Sequence, residues 1–415
     1  MPQNENTKAL LIALGGSPRK AIFTINYYRP EYLLFFTTQK GEDLIKLVIQ
    51  PAIQQMPKRW DCVVTPDAAN FSECYRVLAR KLAESLRHWQ VQPGELVLDY
   101  TEGTQSMVMA MALAASDHCT RFVFASGEDL PPEAGKEEAI PSLLESNPWD
   151  LKAGDEARQA AMHFNQGRYA QARMIFSRLQ ERVSGGSKPL YKALSDLADG
   201  YDLWDAFQYQ KGLEKLKGAK RALELSAVWG GPPGIKSILA GVGENLIFLE
   251  KVMMAQRRVD KTLFLDLTGN ARRRAEIAHH YEEAMIRLHR ALEALAQIQL
   301  EKAYGIKSQD IRPEELPEGV REDYRRCFTS ELDGKIKLPL YAAYHLLKVL
   351  GDPLGQAFSA QWPQLKLVLD VQNHSILGHG FEPIKPERYK QMFDIVLKLG
   401  GTSIEQLPRF PQMEL

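Results

Sequence analysis

Between residues 8 and 125, five short apolar runs alternate with longer stretches of helical spacing, and that alternation leaves few folds open. The runs are Lys8–Leu14 (KALLIAL), Tyr32–Thr37 (YLLFFT), Asp61–Thr65 (DCVVT), Glu95–Asp99 (ELVLD) and Arg121–Ala125 (RFVFA). Near-continuous apolar strands are those buried on both faces, as in parallel sheets covered by helices on each side. Gly41–Met56, Asn70–Trp89 and Gln105–Ser116 carry the intervening helical pattern, so the segment reads as a Rossmann-like α/β domain. Ligands of such sheets sit outside the carboxyl ends of the strands.

Leu130–Asp150 is rich in Pro, Glu and Gly, lacks sustained periodicity and reads as a linker. From Leu151 onward strand signals vanish, and an all-α region is expected. Phe164–Ala172 (FNQGRYAQA), followed by Ile175, Phe176 and Leu179, reads as a helix, a Gly turn and a second helix of tetratricopeptide type, although no 34-residue recurrence extends it into an array. Trp229–Ile235 (WGGPPGI) breaks the helical pattern. The expected organisation is therefore an α/β domain over 1–130, a linker over 131–150, helical hairpins over 151–235 and a second helical domain over 236–415. One amphipathic helix is expected over Ala275–Leu300, with Ile277, Tyr281, Met285, Leu288, Leu292 and Leu295 on one face and His280, Glu283, Arg287 and Arg290 opposite. Residues 251–307 hold 11 Lys/Arg against 7 Asp/Glu, which fits either a solvated face or an RNA-facing surface.

Over all 415 residues, 52 basic side chains balance 52 acidic ones, so any affinity for nucleic acid is local rather than global. No window approaches the roughly 18–20 apolar residues of a spanning helix, and the first residues lack the pattern of a secretory leader. A cytoplasmic protein without membrane contact is expected. Cys62, Cys74, Cys119 and Cys327 are widely spaced, without a Cys-x-x-Cys pair. They read as core thiols, and no metal site is expected.

Two loops carry the ligand chemistry of the first domain. After the first strand, Gly15-Gly16-Ser17-Pro18-Arg19-Lys20 combines glycines that let the backbone approach a ligand with Ser and Arg donors for phosphate oxygens. After the fourth, Asp99–Met107 (DYTEGTQSM) places Thr101, Thr104 and Ser106 in six residues at a helix N-terminus, where free amides and the helix dipole favour anions. A structural cap needs one hydroxyl, not three. The candidate ligand contacts are Gly16, Ser17, Arg19, Thr38 after the second strand, Thr101, Gly103, Thr104, Gln105 and Ser106. Neither a Gly-x-Gly-x-x-Gly fingerprint nor a P-loop is present, which disfavours a hydride-transfer enzyme and an NTPase.

GGSPRK and DYTEGTQSM together resemble the signature of the CRISPR-associated Rossmann fold, or CARF, domain over about residues 8–130. That family carries a Gly-rich polar turn after strand one and an Asp-x-Thr-Gly-Gly-Thr-Lys-like motif after strand four. The resemblance implies a homodimer whose paired loops bind cyclic oligoadenylate, the second messenger of type III CRISPR complexes, as an allosteric ligand rather than a cofactor. Here Glu102 stands where the family often has Gly and Gln105 where it often has Lys, adding one anion and removing one cation.

Near the other end, Gln372-Asn373-His374-Ser375-Ile376-Leu377-Gly378-His379-Gly380 resembles the HEPN nuclease motif of CARF–HEPN proteins of the Cas02710 type. Asn373, Ser375, Ile376, Leu377, His379 and Gly380 match, as does the upstream helix Tyr281–Glu293. Metal-independent RNA cleavage needs an acid or base of near-neutral pKa, for which His is suited, and a cation or donors for the phosphate. The resemblance implies single-stranded RNA as substrate, His379 as general acid or base and Asn373 and Ser375 positioning the phosphate. Gln372 replaces the family's arginine and brings a hydrogen bond without charge, so Arg287 or Arg290 is the expected substitute. Two alternatives stay open: a nuclease-inactive messenger-binding regulator, and a ring nuclease that opens the messenger through Ser17, Thr104 or Ser106.

Overall fold

A computed structural model of the chain describes residues 7–16, 18–127, 142–228, 231–258, 260–377 and 380–415. The chain divides into two compact units, residues 1–157 with 177–191 and residues 158–176 with 192–415.

The first unit holds a six-stranded sheet: β1 (Ala9–Ala13), β2 (Tyr32–Thr37), β3 (Arg59–Val64), β4 (Leu96–Asp99), β5 (Arg121–Ser126) and β6 (Ser142–Ser146). Their order is β3-β2-β1-β4-β5-β6, with β6 antiparallel to β5 and the other pairs parallel. Helices α1 (Pro18–Tyr28), α2 (Gln39–Leu44), α3 (Gln50–Ala52), α4 (Phe71–His88) and α5 (Gln105–Ala115) alternate with the strands. Alternate residues of β1 feed two cores. Ala9, Leu11 and Ala13 pack with Leu78, Leu82, Met107 and Met111, whereas Leu10, Ile12 and Leu14 pack with Ala21, Ile25, Ile45 and Ile49. Side chains of a strand point alternately to opposite faces, so a strand covered on both sides has no polar position left. Each buried leucine or isoleucine contributes about 1.5–3 kcal/mol.

Several expectations are corrected in this unit. The proposed linker contains β6, whose Ser142-Leu143-Leu144-Glu145-Ser146 is largely exposed. An edge strand buries one side at most, so its sequence lacks the apolar run that marks the central strands. Glu145 fixes β6 by accepting a bond from Arg121 Nε at 2.7 Å and one from the Tyr28 hydroxyl at 3.0 Å. Pro18 opens the helix α1, where only a turn is expected from the sequence; proline is tolerated in a first helical turn because its missing N–H would have no partner there. The single helix expected over Gly41–Met56 is instead α2, a π-helical turn at Ile45–Ile49, and α3. The thiols divide as well. Cys74 and Cys119 are buried, Cys62 is half-buried, and Cys327, in the other unit, is exposed.

The helical region comprises α6 (Pro148–Asn165), α7 (Tyr169–Arg182), α8 (Lys188–Asp205), α9 (Tyr209–Val228), α10 (Ile235–Arg258), α11 (Thr262–Glu276), α12 (Tyr281–Tyr304), α13 (Glu318–Phe328), α14 (Leu340–Val349), α15 (Pro353–Asn373) and α16 (Pro386–Gly400). The α/β domain followed by an all-α region is thus the architecture read from the sequence. Helix α6 turns into α7 through Gly167, whose φ of +71° suits glycine. Tyr344 is the anchor of the second unit's core: its ring stacks on Phe358 at 3.8 Å, and its hydroxyl donates to the Leu292 carbonyl at 2.9 Å.

The helix expected over Ala275–Leu300 is two helices. The chain breaks after Glu276, where His279 takes φ +58°, and restarts at Tyr281. Ile277 and Tyr281 keep helical spacing across the break, so periodicity alone does not reveal it. Among the described residues no helix is long and apolar enough to cross a membrane.

Candidate functional site

Strands β1 and β4 are neighbours in the sheet although their connections run in opposite directions, β1 toward β2 and β4 toward β5. A crevice opens at such a reversal, on the carboxyl edge. Both signature loops lie there. A Cβ on Gly15 would come within 2.6 Å of Glu102 Oε2 and 2.9 Å of the Gly103 nitrogen, so the Gly-Gly turn lies directly against the second loop. Gly103 has φ +99°, and a Cβ on it would lie 3.0 Å from that of Ala13, which makes glycine a requirement. Gly16 faces open space. Arg19 and Lys20 occupy the first turn of α1, and Thr38 is the N-cap residue of α2, its side chain making no capping bond. Ser17 lies outside the described residues.

The three hydroxyls of the second loop have partners within the protein. Thr101 Oγ donates to Asp99 Oδ1 and accepts from the Ala125 amide at 2.8 Å, while its own amide donates to Asp99 at 2.9 Å. Burial pushes the Asp99 carboxyl above its ordinary value, and the bonds from Thr101 pull the other way. Thr104 caps α5 by accepting from the Met107 amide at 3.2 Å and donates to the Ala68 carbonyl; Ser106 donates to the Ala69 carbonyl at 2.7 Å. The turn after β3 therefore belongs to this site, a role the sequence reading missed. Its one legible mark is Asn70, which caps α4 by accepting from the Glu73 amide at 3.2 Å. Gln105 is exposed at the first position of α5. A structural Thr101 has a measurable consequence: Thr101→Val is expected to lower the stability of the first unit by about 1–3 kcal/mol in urea unfolding, because the Ala125 amide loses its partner. An unchanged midpoint would show that the hydroxyl is free for a ligand.

The second motif lies at the end of α15. Asn373 is its exposed last residue; His374 follows, its Nδ1 bonded to the Asp370 carbonyl at 2.7 Å. Ser375 is 1% exposed, and neither its hydroxyl nor Gln372 Oε1, also buried, has a hydrogen-bond partner among the described residues. Of the two expected phosphate contacts, only Asn373 therefore faces outward. The loop closes on itself: Gly380 donates to the Ser375 carbonyl at 3.1 Å and Ile376 to the Glu382 carbonyl at 3.2 Å. A Cβ on Gly380 would overlap the His374 carbonyl. Gly378 and His379 lie outside the described residues. The Ile384 amide ties the returning chain to Glu282 of α12 at 2.9 Å.

The two candidate cations lie on α12 and already have partners. Arg287 Nε donates to Asn270 Oδ1 at 2.5 Å and its NH1 to the Glu283 carbonyl at 2.8 Å; burial and neighbouring Arg274 lower its affinity for a proton. Asn270 in turn donates to Asp205 Oδ1 at 3.1 Å, which also accepts from Arg273 Nε at 3.1 Å, while Asp205 Oδ2 accepts from Arg274 at 2.6 Å. Arg290 is more exposed and donates to Gln297 at 2.9 Å. The face expected to be solvated or RNA-facing is thus partly committed to a buried ionic lattice.

A family model described as the Csm6 6H domain matches residues 153–230, and one described as the Csm6 HEPN domain matches residues 254–402. The chain belongs to the Csm6-type CARF–HEPN family. It is accordingly an accessory protein of type III CRISPR systems. Among solved structures it is similar to "Enterococcus italicus Csm6 bound to cyclic hexa-2'-fluoro-hexa-dAMP", with 14% identity, a TM-score of 0.58, and coverage of 95% of this chain and 94% of that one. No curated protein matches. In Csm6 terms the hairpins α6–α9 fall in the 6H segment, and the lattice of Asp205, Asn270 and Arg287 joins that segment to the HEPN segment.

Proposed function

We propose that the chain is a messenger-responsive ribonuclease: cyclic oligoadenylate binds the crevice between β1 and β4 and biases the HEPN segment toward cleaving single-stranded RNA. The observation that carries the ligand half is the meeting of the Gly15-Gly16 turn with the Glu102-Gly103 backbone at the carboxyl edge, where first-turn amides of α5 attract phosphate. The ring-shaped adenylate analogue bound to the Enterococcus italicus relative supports the choice of ligand. In the RNA half, His379 moves the proton of the attacking ribose 2′-hydroxyl, and Asn373 donates to the phosphate. Ser375 supports the loop from inside. Charge comes from Arg290 or from a second copy of the chain in a homodimer. No step calls for a metal ion.

A second reading rests on Gln372 and on the occupied guanidinium of Arg287: the HEPN segment binds without cutting, and the protein is a regulator that holds messenger. Ring opening at Thr104 or Ser106 gains no support, since both hydroxyls donate to main-chain carbonyls. Labelled RNA incubated with the protein, with and without cyclic oligoadenylates, separates these readings. Cleavage only with messenger, and reduced by about 10²–10⁴-fold in His379→Ala, is the expected result. Intact RNA beside bound, unconsumed messenger selects the regulator, and consumed messenger with intact RNA selects the ring nuclease.

A further inference from the structure

After α16 and a short turn at Ile404–Gln406, residues 408–414 run without helix or strand across the helices of the second unit. Three glycines are shaped to it. A Cβ on Gly269 would lie 2.9 Å from Pro408 Cδ, one on Gly241 would lie 2.9 Å from Pro411 Cβ, and one on Gly234 would overlap the Glu414 carbonyl. Asn165 grips the main chain of Met413 through two bonds, donating to its carbonyl at 2.9 Å and accepting from its amide at 2.7 Å. Phe410 enters an aromatic cage, with ring centroids 4.5 Å from Tyr201, 4.7 Å from Trp204 and 5.8 Å from Tyr169. The Arg273 guanidinium closes that cage 3.8 Å above the ring and donates to the Pro408 carbonyl at 3.4 Å.

Arg273, on α11, also pairs with Asp205, as does its neighbour Arg274. From Asp205 the bonds pass to Asn270 and then to Arg287 on α12. Helix α12 carries Glu282, which accepts from Ile384 and so holds the chain returning from the Ser375–Glu382 loop. Hydrogen bonds and one cation–π contact thus join the 408–414 segment to α12 at Arg287, and the helix itself leads from there to Glu282, which holds Ile384 just past the loop proposed to cut RNA.

We propose that residues 408–414 form a strap, and that Phe410 is a positioning residue for the RNA-cleaving loop, acting through Arg273 and the Asp205–Asn270–Arg287 lattice. The claim rests on the reading of that loop as the cleavage site. A cation–π contact in a partly buried cage orients the guanidinium face-on, which bulk alone does not do. Phe410→Leu keeps most of the volume and loses the π face; Phe410→Tyr keeps the face.

The test compares both variants with the full-length wild-type chain by messenger-activated RNA cleavage and by hydrogen exchange across α12. Phe410→Leu is expected to lower kcat about tenfold with KM for RNA unchanged, and to speed exchange across α12 by about the same factor. Phe410→Tyr is expected to behave as wild type. A double-mutant cycle of Phe410→Leu with Glu282→Ala, which removes the acceptor for the Ile384 amide, is expected to be non-additive. Wild-type kcat and exchange in Phe410→Leu would overturn the proposal, as would equal losses in the leucine and tyrosine variants. If the wild-type chain cuts no RNA, the reading of the loop fails. Exchange across α12 then decides the strap alone: faster in Phe410→Leu but not Phe410→Tyr supports it, and unchanged in Phe410→Leu overturns it.

Discussion

Asp205→Ala is expected to destabilise the second unit by about 3–5 kcal/mol, the cost of removing one partner from a buried ionic cluster. The side chains of Asp205 and Arg273 are each 9% exposed, and Arg274 is 26% exposed. With the carboxylate gone, Arg273 keeps a buried positive charge that retains the Pro408 carbonyl, the Phe410 ring and the nearby buried carboxyl of Asp266. Asn270 also loses its side-chain acceptor and keeps the Asp205 carbonyl at 2.9 Å. Asp205→Asn retains an oxygen for Asn270 and is expected to cost less. Denaturant unfolding of the two variants checks this. Equal stability of Asp205→Ala and wild type would mean that water reaches the cluster and screens it, as at exposed pairs.

His379→Ala is expected to reduce messenger-activated RNA cleavage by about 10²–10⁴-fold, the usual contribution of a positioned acid or base. The reason for the large effect is the residue at 372. A charged arginine would stabilise the phosphate by itself, whereas Gln372 offers only a neutral bond, about half as strong as a charge-assisted one. Under the proposed mechanism the site then depends more on its histidine. His374 is the internal control: its Nδ1 is bonded to the Asp370 carbonyl at the end of α15, and His374→Ala is expected to stay within about twofold of wild type, as most exposed substitutions do. Single-turnover cleavage at saturating messenger measures both. A rate in His379→Ala equal to that of wild type would remove this residue from the mechanism.

Legibility differed sharply between neighbouring parts of the chain. The hydroxyls after β4 are visible in the sequence, and so is the start of α5 at Gln105. That two of them point back at Ala68 and Ala69 is not, because the acceptors are main-chain atoms, which are alike at every residue. Arg287 reads from its spacing as a cation on an open face of α12. It is half-buried because Asp205 and Asn270, from α8 and α11, come to it in space. Nothing in the run Arg272-Arg273-Arg274 announces which of the three turns inward to stack on Phe410.

The pattern of apolar residues was enough by itself to determine the central strands, the doubly covered sheet and the change to an all-helical region. Burial on both faces of a strand, or on one face of a helix, constrains every side chain along the element, and that constraint is local and periodic. Elements and contacts without such a constraint were decided only by tertiary structure. Strand β6 forms on an edge where most of its side chains meet water, and the break before α12 preserves the apolar spacing. The 408–414 strap has no periodicity, and its place depends on three glycines and an aromatic cage distant in sequence. Their common physical basis is that a partner reached through space leaves no mark on the residues adjacent in the chain.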